Sequence, residues 1–223
     1  MAALVSTLGL GFRHSVQDPW LFRNLNLTLR RGDILTVVGR SGCGKSTLLR
    51  ILGGLIPPTE GCVQHRSSAA PNHLAGAMLF QDARLLPWRR AAANVALGCE
   101  TLSLSRSIRQ ARIQRALEAV GLSNLAQRYP HQLSGGQQHR ISLARALASD
   151  APLLLLDEPF AALDPQTHSE MVTMLRTIAE EEGRAVVLVT HHLSDATAFA
   201  GEILDLEQQQ RVSVESGLLL ALS

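Results

Sequence analysis

The chain has 223 residues, a length that fits one large domain or one domain carrying an inserted lobe. Its 46% hydrophobic and 18% charged residues are the proportions of a folded globular protein, and a net charge of +2 is too small to mark nucleic acid or an anionic membrane as a partner. The three cysteines, Cys43, Cys62 and Cys99, are odd in number and lack CxxC spacing, which argues for a reducing compartment and against a zinc site.

In chain order, MAALVSTLGLG has no basic flank and does not read as a signal peptide. LFRNLNLTLRRGD (21–33) alternates apolar and polar residues with period two, which predicts a half-exposed antiparallel strand. ILTVVG, PLLLLDE and AVVLVTHH are instead unbroken apolar runs ending in polar residues, the pattern of parallel strands buried on both faces. Ligands bind at the carboxyl ends of such strands. Residues from about 89 to 150 are rich in Ala, Leu, Arg and Gln. Within them SRSIRQARIQRALEAVG predicts a helix stopped by Gly121. Its Arg106, Arg109, Arg112 and Arg115 form either a solvated face or a basic docking surface. No apolar run approaches the ~20 residues that span a bilayer, so work at a membrane would need spans from another chain.

These elements, together with the glycine loop GRSGCGKST between ILTVV and the helical stretch that follows, predict an α/β fold of the P-loop NTPase kind. The expected layout is a β subdomain over about 1–33, a parallel-sheet nucleotide-binding core over about 34–81 and 151–223, and an inserted helical subdomain over about 82–150.

The chemistry concentrates at two helix starts. GRSGCGKST matches G-x-x-x-x-G-K-[ST] from Gly39 to Ser46 and lies between a strand and a helix, the context that the motif requires. Backbone N–H groups of Gly39, Arg40, Ser41, Gly42, Cys43 and Gly44, with Lys45, Ser46 and Thr47, would cradle phosphates. Lys45 would reach the β and γ phosphates of a nucleotide, and Ser46 would ligate Mg²⁺. Inside this loop the Cys43 thiol reads as a small filler. Asp157, ending LLLLD, would join the Mg²⁺ shell, and Glu158 would polarise an attacking water; alternatively this acidic pair, with Pro159 next, caps a helix. The second start is QLSGGQQHR, whose Ser134, Gly135, Gly136 and Gln137 open an amphipathic helix with a further anion site.

Taken in order, GRSGCGKST, LFQDARLLPW with Gln81, LSGGQ, LLLLDEP, AALD ending in Asp164, and VTHH resemble the motifs of ATP-binding subunits of ABC transporters, along nearly the whole chain. The resemblance implies ATP and Mg²⁺, with Gln81 sensing the metal and the water, and with His191 and Ser134–Gln137 meeting the γ-phosphate. It gives His192 no chemical role, and Ala161 stands where Ser is frequent. It also implies an aromatic beneath adenine, for which Phe12, His14 and Trp20 are candidates. Trp88 is either a core aromatic or part of the surface that meets a permease. The implied partners are a second copy of the chain packed head to tail, transmembrane permease subunits and, for an importer, a solute-binding protein, with the chain on the cytoplasmic face of the membrane. VGRSGCGKSTLLR and LFQDARLLPW are most similar to import ATPases of the nitrate, sulfonate and taurine group. The alternatives are the motor of an exporter or lipid-extracting complex, a soluble ABC ATPase acting on DNA or ribosomes, and a non-hydrolysing regulatory cassette. The intact Lys45, Asp157, Glu158 and His191 argue against the last of these.

Overall fold

A computed structural model describes residues 3–66, 76–160, 163–191, 193–199, 201–215 and 218–221. Ala161 and His192 lie outside the described residues. The chain runs β1 (Val5–Phe12), β2 (Phe22–Leu25), β3 (Thr28–Leu29), β4 (Ile34–Val38), α1 (Lys45–Leu52), β5 (Glu60–His65), β6 (Ala77–Leu79), α2 (Ala91–Ala96), α3 (Arg106–Ala119), α4 (Gly135–Leu147), β7 (Leu153–Asp157), α5 (Pro165–Glu182), β8 (Ala185–Val189), α6 (Leu193–Ala198), β9 (Glu202–Asp205), β10 (Gln210–Glu215) and β11 (Leu218–Ala221).

Seven strands form the main sheet in the order β11-β10-β9-β4-β8-β7-β6. Those from β9 to β6 are mutually parallel, and β10 and β11 add an antiparallel edge. The unbroken apolar runs are explained by two cores. In β7, Leu154 and Leu156 join Leu175 and Ala179 of α5 and Ile141 and Leu143 of α4. Leu153 and Leu155 point the other way, toward Leu48, Leu49 and Leu52 of α1 and Leu10 and Leu29 of the antiparallel sheet. Successive side chains alternate faces, so a strand covered on both sides must be apolar at every position. Each such leucine contributes about 1.5–3 kcal/mol by leaving water.

The stretch 21–33 departs from the expected single strand. It forms two short strands, β2 and β3, both antiparallel to β1, while Leu25, Leu27 and Leu29 keep the alternating buried face. Side chains replace the ladder at the break: Thr7 Oγ1 donates to Leu25 O (2.9 Å) and accepts from Leu27 N (2.8 Å), and Asn26 Oδ1 accepts from Gly9 N (2.8 Å). The antiparallel sheet also reaches beyond the expected 1–33, because β5 pairs with β1 from Val5–His65 to Gly11–Glu60. EGCVQH carries no strong alternation, and only its partner strand reveals its place.

Helices α2, α3 and α4 form the inserted lobe, and buried polar groups fix it to the core. Arg184, 8% exposed, donates to the carbonyls of Ala146, Leu147 and Ala151 and so binds the carboxyl end of α4 to the start of β8. The arginine row on α3 divides: Arg106 and Arg115 are exposed, whereas Arg112 pairs with Asp150 and donates to Ala148 O. Gly121, at φ +67°, follows the helix as expected.

Thr7 is 6% exposed and satisfies two backbone groups with one hydroxyl. Thr7→Val keeps the shape and leaves both groups unpaired, so it is expected to destabilise the fold by about 1–3 kcal/mol, read from the urea midpoint.

Candidate functional site

The glycine loop connects β4 to α1. Gly44, at φ +106°, is the N-cap of α1, and no side chain caps that helix. The first-turn N–H groups are therefore left for a ligand, at the positive end of the helix dipole. A Cβ on Gly44 would lie 3.0 Å from Leu21 Cβ, and one on Gly39 2.7 Å from Cys43 Sγ, so both positions require glycine. Lys45 is buried, and its Nζ donates to Gly39 O (2.7 Å) and Arg40 O (2.9 Å), which folds the ammonium back over its own loop. Arg40 N donates to Glu207 Oε1 (3.1 Å), a loop anchor with no sequence signal. Burial pushes the Cys43 thiol up, which keeps it neutral and suits the part of a filler.

Asp157 ends β7, and Ser46 Oγ donates to its Oδ1 at 3.0 Å. The carboxyl is 3% exposed; burial raises its pKa, against the pull of the Ser46 hydroxyl, and the neighbouring Glu158 raises it further. A buried carboxylate and a hydroxyl are hard oxygen donors in contact, a fitting pair for Mg²⁺. Among the described residues no group of three or more His, Cys, Asp or Glu could hold a metal alone. Mg²⁺ characteristically takes one or two protein oxygens and completes its shell with phosphates and water.

Glu158 adopts φ +50°, a left-handed conformation that costs about 1–3 kcal/mol. Its N–H donates to Val189 O (2.9 Å), and its Oε1 lies 3.0 Å from His191 Nδ1. The expected N-cap role falls instead to Asp164, whose carboxylate accepts from Thr167 N (3.0 Å) and Thr167 Oγ1 (2.7 Å) at the start of α5, with Pro165 following. Gln81 is exposed two residues beyond Leu79, which pairs with Leu156, so Gln81 and Glu158 emerge at the same register of the sheet edge.

The second helix start is capped from within. Ser134 Oγ accepts from Gln137 N (3.3 Å), and Gln137 Oε1 accepts from Ser134 N (3.0 Å). Ser134 and Gly135 are exposed, and a Cβ on Gly135 would meet nothing within 4 Å. Packing within the chain does not call for that glycine. Among the described residues no hydrogen bond joins Ser134–Gln137 to residues 39–47.

Several positioning residues carried no sequence signal. Arg145 of α4 donates to Ala83 O (3.1 Å) and Arg84 O (2.9 Å), holding the segment after Gln81. Asn94, wholly buried, accepts from Leu86 N (2.7 Å) and donates to the carbonyls of Leu86, Arg89 and Arg90. This clamp displays Trp88 at 71% exposure, which removes the core alternative for that residue. Of the adenine candidates, Trp20 lies under the guanidiniums of Arg13 (4.5 Å) and Arg23 (4.6 Å), and Phe12 packs edge to face with His14.

The sequence profile described as "ABC transporter" matches residues 22–161. The chain belongs to the ABC transporter family. Within that family it is the ATP-binding, ATP-hydrolysing component. It is 42% identical to aliphatic sulfonates import ATP-binding protein SsuB 1 of Agrobacterium fabrum, across 87% of this chain and 68% of that protein. It is 41% identical to taurine import ATP-binding protein TauB of Pseudomonas aeruginosa, across 90% and 76%. Its fold matches that of the ATP-binding cassette MJ0796 in a dimeric post-hydrolysis state bound to ADP and Pi, with TM-score 0.85, 30% identity, and 95% and 99% of the two chains covered. No helix among the described residues of this ABC ATPase is long and apolar enough to cross a membrane.

His139, on α4, is 6% exposed, and its Nε2 has no hydrogen-bond partner among the described residues. Burial pushes the imidazole below its ordinary range, while the nearby Glu158 and Asp82 pull the other way. A depressed histidine is neutral in the folded state and takes its proton first in the unfolded one. Its stabilising contribution is therefore complete above about pH 6.5 and is lost as pH falls below that, by up to about 1.4 kcal/mol per pH unit. His139→Gln should abolish this part of the acid sensitivity, so urea midpoints of wild type and variant should diverge between pH 7.5 and pH 5.5, with the wild type losing more.

Proposed function

We propose that this ATPase energises an import transporter like those of its sulfonate and taurine relatives, with Lys45, Ser46, Asp157, Glu158 and His191 as its chemical centre. The convergence of the Ser46–Asp157 and Glu158–His191 contacts on one sheet edge carries the proposal. Lys45 exchanges its loop carbonyls for the β and γ phosphates, and the N–H groups of residues 39–47 enclose them. Ser46 and Asp157, with Gln81, would hold Mg²⁺, which would supply positive charge to neutralise the phosphates.

Glu158 orients the attacking water. Its carboxylate can only accept hydrogen bonds, so at the 3.0 Å contact the proton lies on His191 Nδ1. A neutral His191 then has Nε2 as an acceptor, which cannot donate to a phosphate oxygen. Turning the Nδ1–H toward the γ-phosphate requires release from Glu158, which would link nucleotide arrival to freeing of that carboxylate.

Ser134, Gly135, Gly136 and Gln137 meet the γ-phosphate held by a second copy of the chain, and the open space at Gly135 supports close approach from outside. Trp88, presented by the Asn94 clamp, contacts the transmembrane permease on the cytoplasmic face, and a solute-binding protein delivers the solute. The antiparallel sheet, the parallel-sheet core and the inserted helices act as three subdomains of one unit.

Lys45→Ala should weaken ATP binding and turnover together. Glu158→Gln should bind ATP at near wild-type affinity and lower phosphate release by ~10²-fold or more. Bound nucleotide and phosphate release measured on both variants test this; wild-type turnover by Glu158→Gln would remove Glu158 from the catalytic role.

A further inference from the structure

Resting on His191 as the residue that meets the γ-phosphate, we infer that His168 and Asp195 are positioning residues that hold the His191 segment against helix α5. Asp195 is 4% exposed, and two donors engage its carboxylate. Thr190 Oγ1 donates to Oδ2 at 2.6 Å, and His168 Nε2 lies 2.8 Å from Oδ1, where only the histidine can donate. Thr190, itself buried, directly follows the end of β8 at Val189 and precedes His191. His168 sits in the first turn of α5, four residues after the capping Asp164. Its ring also packs against Phe160, two residues past Glu158, with centroids 4.9 Å apart.

One buried carboxylate therefore joins the end of β8, the start of α5 and the segment that follows Glu158. Filling the space alone would be met at lower desolvation cost by an apolar side chain. A carboxylate with a fixed donor on each oxygen instead admits one arrangement of both partners. The backbone at Thr190 is thereby fixed, and the His191 ring is presented to Glu158 in one orientation. Movement of the α5 N-terminus is transmitted to His191 through the same two bonds.

His168→Phe keeps an aromatic ring against Phe160 but cannot donate to Asp195; His168→Gln restores a donor near the Nε2 position. In ATP hydrolysis by the full chain, His168→Phe should lower kcat about tenfold with KM for ATP within about twofold, and His168→Gln should recover most of the loss. In a His191→Ala background, His168→Phe should cause no further loss of kcat, a dependence that lowered stability alone does not create. Thr190→Val cuts the other bond and carries the same test should His168→Phe fail to fold. Wild-type kcat in both His168→Phe and Thr190→Val, or an equal further loss without His191, would overturn the inference. If His191→Ala itself turns over at the wild-type rate, the γ-phosphate assignment falls and the inference with it; if His191→Ala is impaired but the relay variants are not, the inference alone falls.

Discussion

The hydrogen bond from Ser46 to Asp157 spans 111 residues of sequence and joins the first turn of α1, the helix that follows β4, to the end of β7, although β8 lies between β4 and β7. It exists only because the sheet is buried on both faces. Burial makes β7 apolar along its length and leaves its carboxyl end as the place where charge can emerge. The same burial raises the Asp157 carboxyl, so that the charge there is costly until a cation or donor compensates it. Grouped near this buried carboxylate are the glycine loop, the lysine folded back on itself and the left-handed Glu158.

Strain and satisfaction are distributed unevenly. The left-handed backbone at Glu158 is tolerated because Val189 O accepts its N–H and His191 receives its side chain. Elsewhere, Arg145, Asn94 and Arg184 each satisfy two or more carbonyls in loops and at helix ends. The His168–Asp195–Thr190 contacts act in the same way with a carboxylate as the acceptor, beside the segment carrying His191.

Much of this was legible in the residues. The parallel strands followed from unbroken apolar runs, and the glycine loop from glycines between strand and helix. The α3 stop followed from Gly121. Order and spacing of six short motifs gave the family. What stayed hidden depended on contacts between distant segments. EGCVQH lacks a pattern of its own and becomes a strand only beside β1. The break between β2 and β3 depends on Thr7, some twenty residues earlier. Asp164 took the capping role that composition alone allowed for the acidic pair, because the helix begins only after the turn that follows Glu158. Long-range polar partners such as His168 and Asp195, 27 residues apart, leave no periodic trace.

The two helix starts proposed to bind phosphate differ in the same physical terms. That of α1 is uncapped and strained into place by its own chain, whereas that of α4 is capped by its own side chains and faces outward. A lone exposed helix N-terminus attracts an anion by only ~0.3–1 kcal/mol, too little for an ATP site. In the proposed symmetric pair, added twice to phosphates held by the loop, it would make association depend on nucleotide. A chain with its native cysteines replaced, carrying Ser41→Cys, Gly136→Cys and Glu158→Gln, tests this most directly under mild oxidation. The account requires a reducible band at dimer mass that appears with ATP; a crosslink confined to the monomer would mean that the second start closes on its own loop.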